Sequence, residues 1–351
     1  MKQTHQKGRG AQINPANPFN KLRYEQISEI QDEEVALSGK TRYIPVFPKT
    51  VLNKITSPDV PGEWSLNPYQ GCEHGCVYCY ARNTHPYWGY SAGIEFEEKI
   101  LVKQDVPALL EKKFRSPKWK ASPLMLSGNT DCYQPAEKKY EITRKILEIC
   151  WKFRHPVGVI TKNALVLRDL DLLRKLASEQ LVHVAISITS LDEKIRAKME
   201  PRTSTAAARI EAVRQLSVNG IPVSVMLAPV IPGLTDHEIL PLAKAVSEAG
   251  ARSINYTVVR LNGDVAELFE DWLDKFFPDR KEKVLNHIRE AHGGKLNDSR
   301  FGQRMSGEGE LAAVIARQVR VARQLYFEGR KTPPYNLDLH AAHKDPQLRL
   351  F

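Results

Sequence analysis

Between positions 64 and 259 short apolar runs alternate with longer stretches of helical period. A chain satisfies that pattern by laying parallel strands side by side and returning through helices packed on the sheet. The runs predict strands at 65–69, 123–127, 157–161, 182–189, 222–228 and 253–259. Helical period fills the gaps at 137–153, 167–178, 205–219, 236–249 and 265–277. Ile142, Ile146, Ile149 and Cys150 share one face of the first of these helices, which assigns Cys150 to the core. At 351 residues, 42% of them hydrophobic, the chain can bury one large α/β core with extensions. Composition divides it into a basic, Gln- and Asn-rich tail at 1–45, a core domain at 46–262, a helical C-terminal extension at 263–337 and a polar tail at 338–351.

Packing does not explain Cys72, Cys76 and Cys79, which follow the first expected strand with CxxxCxxC spacing. Three thiolates on one short loop hold three irons of a four-iron, four-sulfur cluster and leave the fourth iron open to a cofactor. Structural zinc normally takes four ligands from two separate pairs. No second CxxC pair exists here, although His74 would complete a set. Five cysteines, no secretory apolar segment and no long apolar stretch point to a reduced, cytoplasmic chain without disulfides or a membrane span.

The run from Gly71 to Arg82, with aromatic Tyr78 just ahead of the third cysteine, resembles the radical S-adenosylmethionine (SAM) enzymes. The resemblance implies a partial (β/α)6 TIM-like barrel with the helical C-terminal extension, and two cofactors, a 4Fe-4S cluster and S-adenosyl-L-methionine. It also implies an external one-electron donor of flavodoxin or ferredoxin type. In that chemistry SAM is cleaved reductively to methionine and a 5′-deoxyadenosyl radical, which abstracts hydrogen from an unreactive C–H bond.

The same resemblance assigns SAM contacts to Tyr78, to Gly128, Asn129 and Asp131 after the second strand, and to Ser187 and Arg202 around the fourth. The segment from Pro229 to Asp236 is similar to the family's adenine-binding GxIxGxxE, with Pro for the first Gly and Asp for Glu. It assigns Ile231 and Gly233 to the purine. The loop after the second strand lacks the second glycine and the glutamate of the family pattern, and a plain helix-capping turn explains it equally well. Lys162 at the end of the third expected strand, and Asn255 and Tyr256 within the sixth, are candidate substrate residues.

Within the superfamily, the cysteine run, the Thr130-Asp131 turn and the Glu200-Pro201 segment look closest to proteins related to spore photoproduct lyase, a DNA repair enzyme. That lyase returns hydrogen from a cysteine near the second-strand loop. Here Gly128 stands at the matching place and Cys132 lies nearby, so Cys132 is the candidate catalytic thiol, against a buried structural role. An excess of ten basic residues favours a polyanionic partner, DNA or RNA. The final residues Gln347, Leu348, Arg349, Leu350 and Phe351 resemble the peptide with which bacterial DNA-processing proteins dock on the sliding clamp. The alternative reading is a nucleic-acid-binding or adaptor protein with a purely structural metal centre.

Overall fold

The expected strands pair because their alternate apolar side chains fill the space beneath the helices. The computed structural model describes residues 6–19 and 40–344. The clamp-like peptide from Gln347 to Phe351 lies outside the described residues. The strands are β1 (Arg42–Val46), β2 (Leu52–Lys54), β3 (Trp64–Leu66), β4 (Tyr69–Gln70), β5 (Lys99–Lys103), β6 (Leu124–Leu126), β7 (Val157–Thr161), β8 (Val182–Ser187), β9 (Val223–Val230) and β10 (Ile254–Val258).

The main sheet runs in the order β10-β9-β8-β7-β6-β3-β2. Six strands are parallel, and β2 pairs antiparallel with β3. In β7 the residues Val157, Val159 and Thr161 are buried while the two between them are not, the period expected of a pleated strand. Val157 and Val159 join Leu124, Leu126, Val182, Val184 and Val225 with helix residues such as Ile146, Leu173, Leu216 and Leu242 in one core. Since β2 and β10 are separate edges, the sheet is a partial barrel.

Two expected elements are divided. The first strand breaks at Pro68, after which Tyr69 and Gln70 join a second sheet of order β1-β5-β4. The expected helix 137–153 breaks at Glu141, whose backbone is left-handed at φ 51°. Its cause is Glu137, a buried carboxylate that accepts N–H bonds from Thr143 (3.0 and 3.1 Å) and Arg144 (3.3 Å). Glu137 thereby caps the second helical piece, Ile142–Lys152, at its positive end.

Beyond the barrel, the helices Val265–Phe276 and Lys281–Ala291 pack on the cysteine loop. Trp272, Phe269, Val284 and Ile288 share a second core with Cys76, Val77, Tyr78 and Ile231. The open side is closed by the glycine-rich basic segment 293–307. Its Met305 carbonyl accepts the Val258 N–H (2.8 Å) and its Leu296 carbonyl accepts that of Leu261 (2.9 Å), next to edge strand β10. At the other edge Arg304 pairs with Asp59 (2.5 Å), in the connection between β2 and β3. One segment thus spans both edges of the sheet.

Residues 6–19, which composition assigns to a free tail, are packed. Arg9, Gly10, Ala11 and Gln12 are buried, and the Ile13 carbonyl accepts the Ile94 N–H (3.2 Å). The signal that sequence reading lacked was tertiary, because the segment meets loops rather than forming an element of its own.

Candidate active site

The cysteine loop leaves β4 at the carboxyl end of the barrel strands, where βα loops converge. Gly71 (φ 78°) and Gly75 (φ 69°) give it the bends that a Cβ-bearing residue resists. Backbone bonds hold it: the Cys72 N–H donates to Phe96 O (2.9 Å) and the Val77 N–H to Met199 O (3.1 Å). Cys72 and Cys76 are buried and Cys79 is partly open, all three as free thiols. Burial pushes the Cys72 and Cys76 thiols up; Asp131 adds to this at Cys72, and Glu200 does so at Cys76.

This donor set fits an iron-sulfur cluster better than a single ion. Among the described residues no three His, Cys, Asp or Glu side chains converge to hold one ion. A cube with irons at separate corners asks for separated thiolates. His74, the one candidate fourth zinc ligand, has both ring nitrogens engaged. Nδ1 lies 3.4 Å from Asp131 Oδ2 and Nε2 3.2 Å from Asn163 Nδ2.

The expected SAM contacts separate into two groups. Near the loop after β6, Asn129 donates its N–H to Asn67 Oδ1 (2.8 Å), and the Gly128 carbonyl accepts the Tyr80 hydroxyl. Ser187 stands at the end of β8, and the candidate substrate residue Lys162 just past β7. Burial opposes the charge of the Lys162 ammonium, yet Cys76 and Glu200 hold its pKa above the ordinary lysine value.

The other group serves the chain itself. Asp131 accepts from Tyr133 N–H (2.8 Å), Thr161 Oγ1 (2.7 Å) and Lys162 N–H (2.8 Å). Although burial opposes its ionisation, His74 and these donors hold the carboxyl below its usual range. It braces the β6 and β7 loops against the cysteine loop. Arg202 donates to Gly8 O (3.1 Å) and Thr41 Oγ1 (3.3 Å), with Glu73 at 3.7 Å, so its guanidinium is turned to the N-terminal segment. Ile231 is fully buried in the second core, and Gly233 (φ 78°) packs against His287, where an added Cβ would stand 2.9 Å from Nδ1. Tyr78 donates its hydroxyl to the buried carboxylate of Glu200. Tyr256 is partly buried, and Asn255 is exposed and accepts from Arg323 (3.1 Å).

A family model described as Radical SAM superfamily matches residues 66–246. The chain belongs to the radical SAM superfamily. An uncharacterised protein of Mycobacterium tuberculosis is 33% identical over 250 residues, covering 70% of this chain and 72% of the relative. One of Methanocaldococcus jannaschii is 28% identical, covering 71% and 89%. A solved spore photoproduct lyase complexed with dinucleoside spore photoproduct superposes with a TM-score of 0.60 at 16% identity, covering 82% of this chain and 80% of that one. This likeness shows the fold. As a radical SAM enzyme the chain takes a 4Fe-4S cluster and SAM as cofactors and draws electrons from an external donor. No helix among the described residues is long and apolar enough to cross a membrane.

Two residues at the mouth of this radical SAM barrel escaped sequence reasoning. Tyr80 directly follows the third cysteine; its side chain is 49% exposed, its hydroxyl donates to the Gly128 carbonyl, and burial, then Cys79, pushes the phenol up to about 12. Arg260 follows β10, and burial, then Arg304, lowers its pKa. Adjacency of Tyr80 to Cys79 was the available signal.

Cys132, the expected catalytic thiol, has no exposed surface and lies in the main core with Tyr69 and Tyr133. Its N–H donates to Ser127 Oγ (2.7 Å) and its carbonyl accepts Thr143 Oγ1 (2.6 Å). Burial, then Asp131, pushes its thiol pKa up. Cys132→Ala is therefore expected to lower stability by about 1 kcal/mol while leaving the ratio of product to by-product unchanged. Denaturant unfolding and product chromatography check both; a new by-product would restore the hydrogen-donor role.

Proposed function

We propose that this enzyme uses reductive SAM cleavage to abstract hydrogen from a nucleic acid, with a flavodoxin or ferredoxin type donor in the cytoplasm. When bound, the cluster and SAM supply methionine and a hydrogen-abstracting carbon radical. Cys72, Cys76 and Cys79 hold the cluster; Lys162 offers a cation for the SAM carboxylate, and Ser187 with the Asn129 loop offers polar contacts. Tyr78, anchored by Glu200 and buried beside Cys76, keeps water from that side of the cysteine loop.

The observation that carries the reading is the triple-thiol loop followed directly by an aromatic side chain, together with basic and aromatic residues on the segments after β10. Tyr80 is half-exposed, and Arg260 follows β10. Phe301 is 60% exposed with the Arg304 guanidinium 4.6 Å from its ring centroid. Aromatic faces and cations of this kind stack bases and meet phosphates. The net charge of +10 acts in the same direction. The solved lyase of the same fold binds a dinucleoside.

The test is anaerobic turnover with deuterium-labelled DNA and RNA, reading deuterium in 5′-deoxyadenosine. Transfer from labelled nucleic acid is the expected result. Methionine release with no transfer from any labelled nucleic acid would keep the radical chemistry and remove the substrate class. Iron without methionine release would favour a structural centre instead.

A further inference from the structure

The N-terminal residues 8–15 run along the cysteine loop rather than away from it. Gly10 sits so close to Gly75, the residue just before Cys76, that an added Cβ would overlap the Gly75 carbonyl. Gly75 itself is boxed in, because a Cβ there would stand 2.8 Å from Glu97 Oε2 and 3.2 Å from Pro201 Cγ. The N-terminal segment approaches the Gly75 carbonyl this closely only because position 10 carries no side chain.

Glu97 joins the two. Its carboxylate accepts the N–H groups of Gly10 (3.1 Å) and Ala11 (2.8 Å) and pairs with Arg82 (2.6 Å) at full burial. Its backbone carbonyl accepts Arg9 Nη1 (2.7 Å). Arg82 in turn donates Nε to the Cys76 carbonyl (2.9 Å) and Nη1 to the carbonyls of Ala92 (3.2 Å) and Gly93 (2.9 Å). Further along, Asn14 Oδ1 accepts the Glu95 N–H (3.1 Å), and Pro15 O accepts Ser91 Oγ (2.8 Å). At the other end Arg202 holds the Gly8 carbonyl (3.1 Å) while its own N–H bonds His74 O (3.2 Å).

We propose that residues 8–15 form a strap that positions the cysteine loop and shields its cluster from solvent, with Glu97 as the positioning residue that fastens it. The inference rests on the cluster-binding reading of the three cysteines. None of these residues touches the irons; they fix the backbone from which the thiolates project. Groups that orient metal ligands in this way typically change metal retention without supplying a ligand.

Gly10→Val and Glu97→Gln test it in the full chain. After anaerobic reconstitution, each variant is expected to lose iron to a chelator about tenfold more readily than wild type and to bleach faster in air. Trypsin should cut rapidly after Arg9, which is buried in the native chain. Circular dichroism melting of the barrel serves as the folding control; should Gly10→Val not fold, Glu97→Gln, which keeps the side-chain shape, carries the test. Wild-type iron retention and air lifetime in a folded variant whose Arg9 has become cleavable would overturn the strap. If wild type itself takes no iron, the functional reading fails, and equal tryptic rates for iron-free wild type and Gly10→Val would overturn the strap separately.

Discussion

Cys76→Ala is expected to abolish reductive SAM cleavage and to leave substoichiometric iron after anaerobic reconstitution. Cys76 has the most constrained setting of the three thiols. Its side chain lies in the second core with Tyr78 and Ile231, and its carbonyl is held by Arg82 (2.9 Å). A neighbouring sulfur has no path to replace it, because Cys79 is placed by its own N–H bond to Cys76 O (3.3 Å) and Cys72 by its bond to Phe96. Cys150→Ala is the matched control: that thiol is fully buried in the main core among apolar side chains, so its loss should spare iron content and methionine release alike. The measurements are iron and sulfide per chain, and methionine formed with dithionite. Cleavage by Cys76→Ala at the wild-type rate would remove the cluster assignment, while equal iron loss in Cys150→Ala would show that the effect is one of folding.

The barrel was legible because its strands are short apolar runs whose burial period survives in the sequence. β7 was placed to the residue, and β8 and β9 differ from expectation only at their ends. What was not legible depends on single polar groups acting over distance. Nothing local marks Glu137 as a carboxylate that divides a helix 137–152 into two pieces, since its partners Tyr69 and Arg168 lie far off in sequence. The three cysteines declare themselves by spacing. The residues assigned around SAM do so less well: Asp131 and Arg202 carry the right chemistry, yet in the fold they are consumed by His74, Thr161 and Gly8. Motif position locates a residue on a loop, whereas hydrogen-bond partners decide which way it faces. For the same reason residues 6–19 read as a solvated tail, although two glycines in that run, Gly8 and Gly10, make its close approach feasible.

Removing the charge of Glu200 is expected to destabilise the iron-free chain by about 3 kcal/mol at neutral pH and to flatten its acid denaturation. This carboxylate is fully buried, accepts the hydroxyls of Tyr78 and Thr189, and pairs with Arg209 at 2.5 Å. Burial opposes its charge, but Arg209, Lys162 and the two hydroxyls more than offset that and hold its pKa at about 2, down from 4.5. A carboxyl whose folded pKa is depressed stabilises the fold above its unfolded pKa and loses that contribution as pH falls through the folded value. The window therefore runs from about 4.5 down to about 2, and a shift of this size corresponds to about 3 kcal/mol. Glu200→Gln keeps the shape and strands the Arg209 guanidinium in the interior, which adds the cost of a buried unpaired charge. Urea midpoints of both proteins, taken anaerobically across that range, should differ most near neutrality and converge toward pH 2. A difference that stays constant with pH would mean that Glu200 acts through packing alone. One that vanishes at neutrality would mean that Arg209 finds another anion, and that the anchor on Tyr78 beside the cluster loop is weaker than its geometry implies.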